Sequence, residues 1–146
     1  MQTGRQAYYH GMDTFNSLQE IPEIPTHTIL LVDDDHFARE FHAGALIASG
    51  FDVDTAEDGA EGWQKIQAKK YDLIITDNTM PKMTGIEMVE KLRSARMAVP
   101  VIMATRTLPT FEIARNPWLK PDAALIKPFA FDALLATVKQ VLRTST

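Results

Sequence analysis

The chain has no cysteine among its 146 residues, which excludes disulfide staples and thiol chemistry together. It also has no apolar run of about 18 residues, the length that a membrane-spanning helix needs. Met1 to Ala7 lack the apolar core of a secretion signal. No cluster of Lys and Arg stands out. With 15 basic and 19 acidic residues, the formal net charge is -4. Binding a phosphate backbone takes clustered cations, so neither nucleic acid nor a membrane is expected as a partner, and the cytoplasm is the expected location. The four histidines, His10, His27, His36 and His42, show no metal-ligand spacing.

What is present suits one domain. The apolar fraction is 45%, and the length allows a real core but is short for two domains. Residues 1–27 have no sustained period and contain Gly4, Gly11, Pro22 and Pro25, so an extension, flexible or loosely docked, is expected there. From Thr28 onward, short apolar runs alternate with amphipathic segments. TILLV (28–32), DLIIT (72–76), VIMAT (101–105) and AALI (123–126) are nearly continuous apolar runs, as parallel strands covered on both faces should be. FDVDT (51–55) alternates and suits an edge.

The helical segments between them follow the 3.6-residue period. Phe37, Phe41 and Ala45 recur every four residues, Ile86, Val89 and Leu92 every three, and Phe131, Leu134, Val138 and Val141 carry the last helix. Trp63 and Ile66 mark another after the Asp58-Gly59 turn, while Pro109, Pro117 and Pro121 confine the fourth to about Thr110–Arg115. Trp63 and Trp118 are expected to pack. Five strand-helix units within residues 28–146 predict a doubly wound α/β fold around a five-stranded parallel sheet. No glycine-rich phosphate loop follows the first apolar run, which argues against a nucleotide-binding kinase or a dinucleotide enzyme.

In such a sheet, ligands bind beyond the carboxyl ends of the strands. The first strand ends in Asp33, Asp34 and Asp35, the third in Asp77, the fourth in Thr105 and the fifth in Lys127. Singly, each has a structural reading: Asp35 as a helix cap, Thr105 as a turn residue, Lys127 as a solvated cation. Together they converge on one rim. Crowded carboxylates repel unless a cation neutralises them, and all-oxygen ligation suits Mg2+. A metal beside Asp77, the Lys127 ammonium and the Thr105 hydroxyl would compensate a phosphoryl group carried on the Asp77 carboxylate. Asp77 is thereby predicted to be a nucleophile toward phosphorus.

The runs ILLVDDD (29–35), DLIITDNTMPKMTG (72–85), PVIMAT (100–105) and LIKPF (125–129) resemble, in order and spacing, the receiver domains of two-component response regulators, the CheY-like family. The resemblance spans residues 28–143. It implies a flavodoxin-like (βα)5 fold with strand order 2-1-3-4-5, in which Asp77 is the phosphoacceptor. It further implies Asp34 as a direct Mg2+ ligand, Asp33 acting through a metal-bound water, and the Thr79 backbone carbonyl as another ligand. Thr105 and Lys127 would contact the phosphoryl oxygens, and the Lys127-Pro128 bond would be cis. A histidine kinase or histidine phosphotransfer protein would be the donor, and the domain would catalyse only its own phosphorylation and slow hydrolysis. With Thr146 close behind the last helix, a stand-alone receiver is expected, signalling through an output protein that the sequence does not identify.

Three positions depart from the family pattern. Position 124, usually an aromatic that swings inward, is Ala124, which leaves Thr105 alone to pull its loop. The residue after the threonine, usually small, is Arg106; a guanidinium there would touch the phosphoryl group or obstruct an attacking water. The fourth helix, on a face the family often uses for output, is rich in proline. Two other readings compete. One is a haloacid-dehalogenase-like phosphatase built on Asp33 and Asp35, which leaves Asp77 unexplained. The other is a scaffold that keeps the fold without using phosphate.

Overall fold

The computed structural model describes residues 26–144. Its elements are β1 (Thr28–Val32), α1 (His36–Ala48), β2 (Asp52–Ala56), α2 (Gly59–Ala68), β3 (Leu73–Thr76), α3 (Gly85–Ser94), β4 (Val101–Thr105), α4 (Thr110–Arg115), a 3-10 turn (Pro117–Leu119), β5 (Ala123–Ile126) and α5 (Phe131–Thr144). The strands form one parallel sheet in the order β2-β1-β3-β4-β5. The expected extension over 1–27 lies outside the described residues except for Thr26 and His27. His27 already joins the sheet, its carbonyl accepting from the Asp52 amide at 3.0 Å.

The near-continuous apolar strands are explained by two cores. Ile29, Leu31, Ile75 and Ile102 point to one face, where Ala43 and Leu46 of α1 and Leu134, Val138 and Val141 of α5 cover them. Leu30, Val32, Ile74 and Met103 point to the other, beneath Ile66 of α2 and Met88, Val89 and Leu92 of α3. Each fully buried aliphatic side chain contributes about 1.5–3 kcal/mol, so the central strands are held from both sides.

Two apolar patterns are used differently from expectation. Phe37 and Phe41 do recur on α1, but they are 83% and 63% exposed, while Ala43 and Leu46 meet the sheet. Helical spacing identifies a stripe, and packing decides which stripe is buried. β5, expected to be covered on both faces, alternates instead: Ala123 and Leu125 are half-buried, Ala124 and Ile126 exposed. Ala124 pairs in register with Met103 and so shares the face of α2 and α3. The six residues of α4 are too short to cover it. Trp118, in the 3-10 turn, stays 50% exposed, whereas Trp63 packs against the core with Lys91 over its ring.

Candidate functional site

The local structure at the carboxyl ends of the strands explains how the polar residues come to one place. Val32 and Thr76 are partners across β1 and β3, so the next residues, Asp33 and Asp77, leave adjacent strands side by side. The Asp77 amide continues the ladder to the Val32 carbonyl at 3.0 Å, and the Asp33 amide to the Ala56 carbonyl at 3.1 Å. At the far edge, the Lys127 amide donates to the Thr105 carbonyl at 2.9 Å, and the Lys127-Pro128 bond is cis. Asp35 ends the turn by capping α1, its carboxylate accepting from the amides of Phe37 and Ala38. Those bonds hold its carboxyl below the usual range, against a partial penalty for burial, with smaller help from the Lys127 and Arg106 charges.

Lys127 is the hub. Its Nζ lies 2.8 Å from Asp33 Oδ2 and 3.0 Å from Asp77 Oδ2, although 94 and 50 residues separate them in the chain. Burial pulls the Lys127 pKa down, but the two carboxylate bonds outweigh it and hold the ammonium above its ordinary value. The other oxygens are occupied too: Asp33 Oδ1 accepts from the Asp35 amide at 3.0 Å and Asp77 Oδ1 from the Asn78 amide at 2.6 Å. Asp34, exposed, brings a third carboxylate, and one oxygen from each of Asp33, Asp34 and Asp77 lies within 4.8 Å of the others. Thr105 is buried at the tip of β4, its hydroxyl held only by long contacts of 3.3 and 3.4 Å to Thr107. Thr79 sits on the exposed loop two residues past Asp77.

Three supporting residues were not visible as such in the sequence. Arg39, one turn into α1, donates to the Asp33 carbonyl at 2.8 Å and pins the acidic turn. Asn78 accepts from the Gly85 amide with its carbonyl and from the Ile86 amide with its side chain, both at 2.9 Å, folding the loop after Asp77 back onto α3. His42, half-buried on α1, stacks on Phe129 with ring centroids 5.3 Å apart. Burial lowers its pKa, opposed in part by the Asp33 charge. His36, the histidine nearest the acids in sequence, instead contacts Arg39.

The donor set suits a hard divalent cation. Three carboxylates with oxygen donors only, gathered where one ammonium bonds two of them but offsets only one charge, leave a net negative site at the mouth of the sheet. The profile described as "Response regulator receiver domain" matches residues 29–139. The chain belongs to the response regulator receiver family. Among curated relatives, the receiver is 36% identical over 115 residues to the probable transcriptional regulatory protein SilR of Salmonella typhimurium, covering 79% of this chain and 50% of that one. It is 37% identical over 117 residues to the alkaline phosphatase synthesis transcriptional regulatory protein PhoP of Bacillus subtilis, covering 80% and 49%. The chain therefore spans about half the length of the curated relatives it matches. Their names, transcriptional regulators, stand against the expectation of no nucleic-acid partner.

The receiver also superposes on solved structures. One is the response regulator TrrA of Thermotoga maritima in complex with Mg2+-BeF, with a TM-score of 0.71, 32% identity and coverage of 80% of this chain and 99% of that one. Another is a CheY-like receiver domain from Methanospirillum hungatei, with a TM-score of 0.77, 28% identity and coverage of 83% and 97%. Among the described residues, no helix is long and apolar enough to cross a membrane.

Because Lys127 neutralises the carboxylates from within, it competes with any cation bound there. Lys127→Ala is expected to tighten Mg2+ binding about tenfold, since it deletes a positive charge about 3 Å from two carboxylates. Calorimetric titration of both proteins with Mg2+ measures this, and equal affinities would show that the metal and the ammonium do not share the site.

Proposed function

We propose that the receiver is a phosphorylation-controlled signalling module whose phosphoacceptor is Asp77. The supporting observation is the Lys127 ammonium bonded at once to Asp33 and Asp77, with the Asp34 carboxylate beside them. An Asp77 carboxylate oxygen attacks the phosphorus of a phosphohistidine on a histidine kinase or histidine phosphotransfer protein. The new P–O bond forms as the P–N bond breaks, and the electron pair leaves on the imidazole, which takes up a proton. Mg2+ held by the carboxylates of Asp34 and Asp77 and the backbone carbonyl of Thr79, with Asp33 acting through a metal-bound water, would neutralise the entering phosphoryl oxygens.

The chain's own groups do the rest. Lys127 orients Asp77 as a carboxylate and then meets the charge of the phosphoryl group. The Thr105 hydroxyl exchanges its long contacts in the 105–107 turn for a phosphoryl oxygen, which draws the turn and α4 with it. With Ala124 in place of an aromatic, this pull on α4 is the transmitted signal, read by an output protein. The curated relatives act on transcription, so an output that reaches nucleic acid through residues outside the receiver fold is part of this reading. The cytoplasm is the proposed compartment, and the only reactions catalysed are the receiver's own phosphorylation and dephosphorylation. The phosphatase alternative needs Asp35 as an acid beside Asp33, but the Asp35 carboxylate is spent on capping α1.

The test is intact-mass analysis after incubation with Mg2+ and a small acyl-phosphate donor. One added phosphoryl group, labile to hydroxylamine and mapped to Asp77, is the expected result. No gain from that donor or from a phosphorylated phosphotransfer protein would leave the phosphate-independent scaffold.

A further inference from the structure

Next to the Asp77–Lys127 pair lies a cavity of about 500 Å3, lined by Asp35, Ala38, His42, Arg106, Lys127, Pro128 and Phe129. Arg106 directly follows Thr105 at the end of β4, so its backbone is fixed by a fully buried strand while its side chain is exposed over this cavity. It has no hydrogen bond or ion pair among the described residues, whereas Lys127, the other fixed cation of the cavity, is committed to two carboxylates. Its charge is felt across the mouth by Asp35, whose oxygen is engaged with the first turn of α1. Arg106 is thus a guanidinium with no hydrogen bond or ion pair among the described residues, lining the same cavity as Lys127, which is bonded to Asp77.

Resting on the reading of Asp77 as phosphoacceptor, we propose that Arg106 is a second cation for the phosphoryl group, closing over it and prolonging its life. Hydrolysis of the acyl phosphate forms a bond from a water oxygen to phosphorus and breaks the P–O bond to Asp77. The electron pair returns to the Asp77 carboxylate and the water proton passes to solvent. In a loose transition state, charge moves from the phosphoryl oxygens toward the leaving carboxylate. A guanidinium on the phosphoryl oxygens stabilises the ground state more than the transition state, and a group bound there also stands in the path of the water. Both effects act in one direction, because an interaction stronger in the ground state than in the transition state slows the reaction. The planar fork of arginine suits two phosphoryl oxygens, which an ammonium meets only as a point charge.

The experiment compares wild type, Arg106→Gln and Arg106→Lys, each phosphorylated by a small acyl phosphate with Mg2+ and followed by intact mass after donor removal. The half-life is expected to fall about fivefold in Arg106→Gln and less in Arg106→Lys, the scale of one charge-assisted contact at a solvated site. The affinity for beryllofluoride with Mg2+, by calorimetry, should weaken in the same order. Thermal midpoints should match, since an exposed, unpaired side chain has no structural role to lose. An equal or longer half-life in Arg106→Gln overturns the proposal; a longer one would instead make Arg106 an accelerator of hydrolysis. Failure of the parent reading looks different: no mass gain and no beryllofluoride binding in any of the three proteins, which removes the proposal with it.

Discussion

Asp77→Asn is expected to abolish the phosphoryl gain completely while leaving the protein folded and slightly more stable. The loss is total because an amide oxygen is too weak a nucleophile toward phosphorus. The gain in stability follows from charge. Three carboxylates within 4.8 Å share one ammonium, and the substitution removes one negative charge with almost no change of volume. Lys127 keeps its 2.8 Å partner, Asp33. About 1 kcal/mol is expected from relief of the like-charge repulsion. Mg2+ should raise the wild-type melting temperature, since it binds only the folded state, and should raise that of the variant less. A variant still phosphorylated at the wild-type rate would place the nucleophile elsewhere. One that melts far below wild type would mean that the Asp77–Lys127 bond is structural first.

The rim was legible because each of its residues sits at a strand end. A strand covered on both faces is read as a continuous apolar run, so its first polar residue marks the tip. DLIITD and ILLVDDD name their own active ends, and parallel pairing brings the ends together. What the sequence hid was how the turns are held. Arg39 resembles any exposed arginine on a helix, yet it holds the Asp33 carbonyl. His42 showed no spacing to any ligand because its partner is a ring, Phe129, far along the chain. The exposure of Phe37 and Phe41 and the open face of β5 have one cause: periodicity tells which residues share a face, whereas coverage depends on the length and placement of a neighbouring element. α4, cut short by prolines, is the element that leaves Ala124 and Ile126 uncovered. The departure at Arg106 was visible as a residue type, but only the fold shows that, among the described residues, it forms no hydrogen bond or ion pair.

Gly85 is where the sequence and the site constrain each other most tightly. A Cβ on Gly85 would lie 2.1 Å from the Asp77 carbonyl oxygen and 3.0 Å from the Asn78 Cα, both backbone atoms that no side-chain rotation can move away. The contact is close because Asn78 grips the start of α3 from both its carbonyl and its side chain, folding the loop after Asp77 against that helix. Gly85→Ala is therefore expected to cost about 3 kcal/mol by overpacking, lowering the melting temperature by roughly 10 °C. It should also slow phosphorylation disproportionately. The backbone that must yield is that of Asp77 itself, and a shift of about 1 Å at a reacting group can cost about a hundredfold in rate. Gly44→Ala is the matched contrast: it lies within α1 with nothing near its Cβ, and should stabilise by about 0.5–1 kcal/mol with no effect on phosphorylation. If Gly85→Ala melts and phosphorylates like wild type, the loop is compliant and the position of Asp77 is set by β3 alone. If it loses stability but not rate, the carboxylate is held by Lys127 rather than by its own backbone, and the ammonium becomes the residue that sets the geometry of the site.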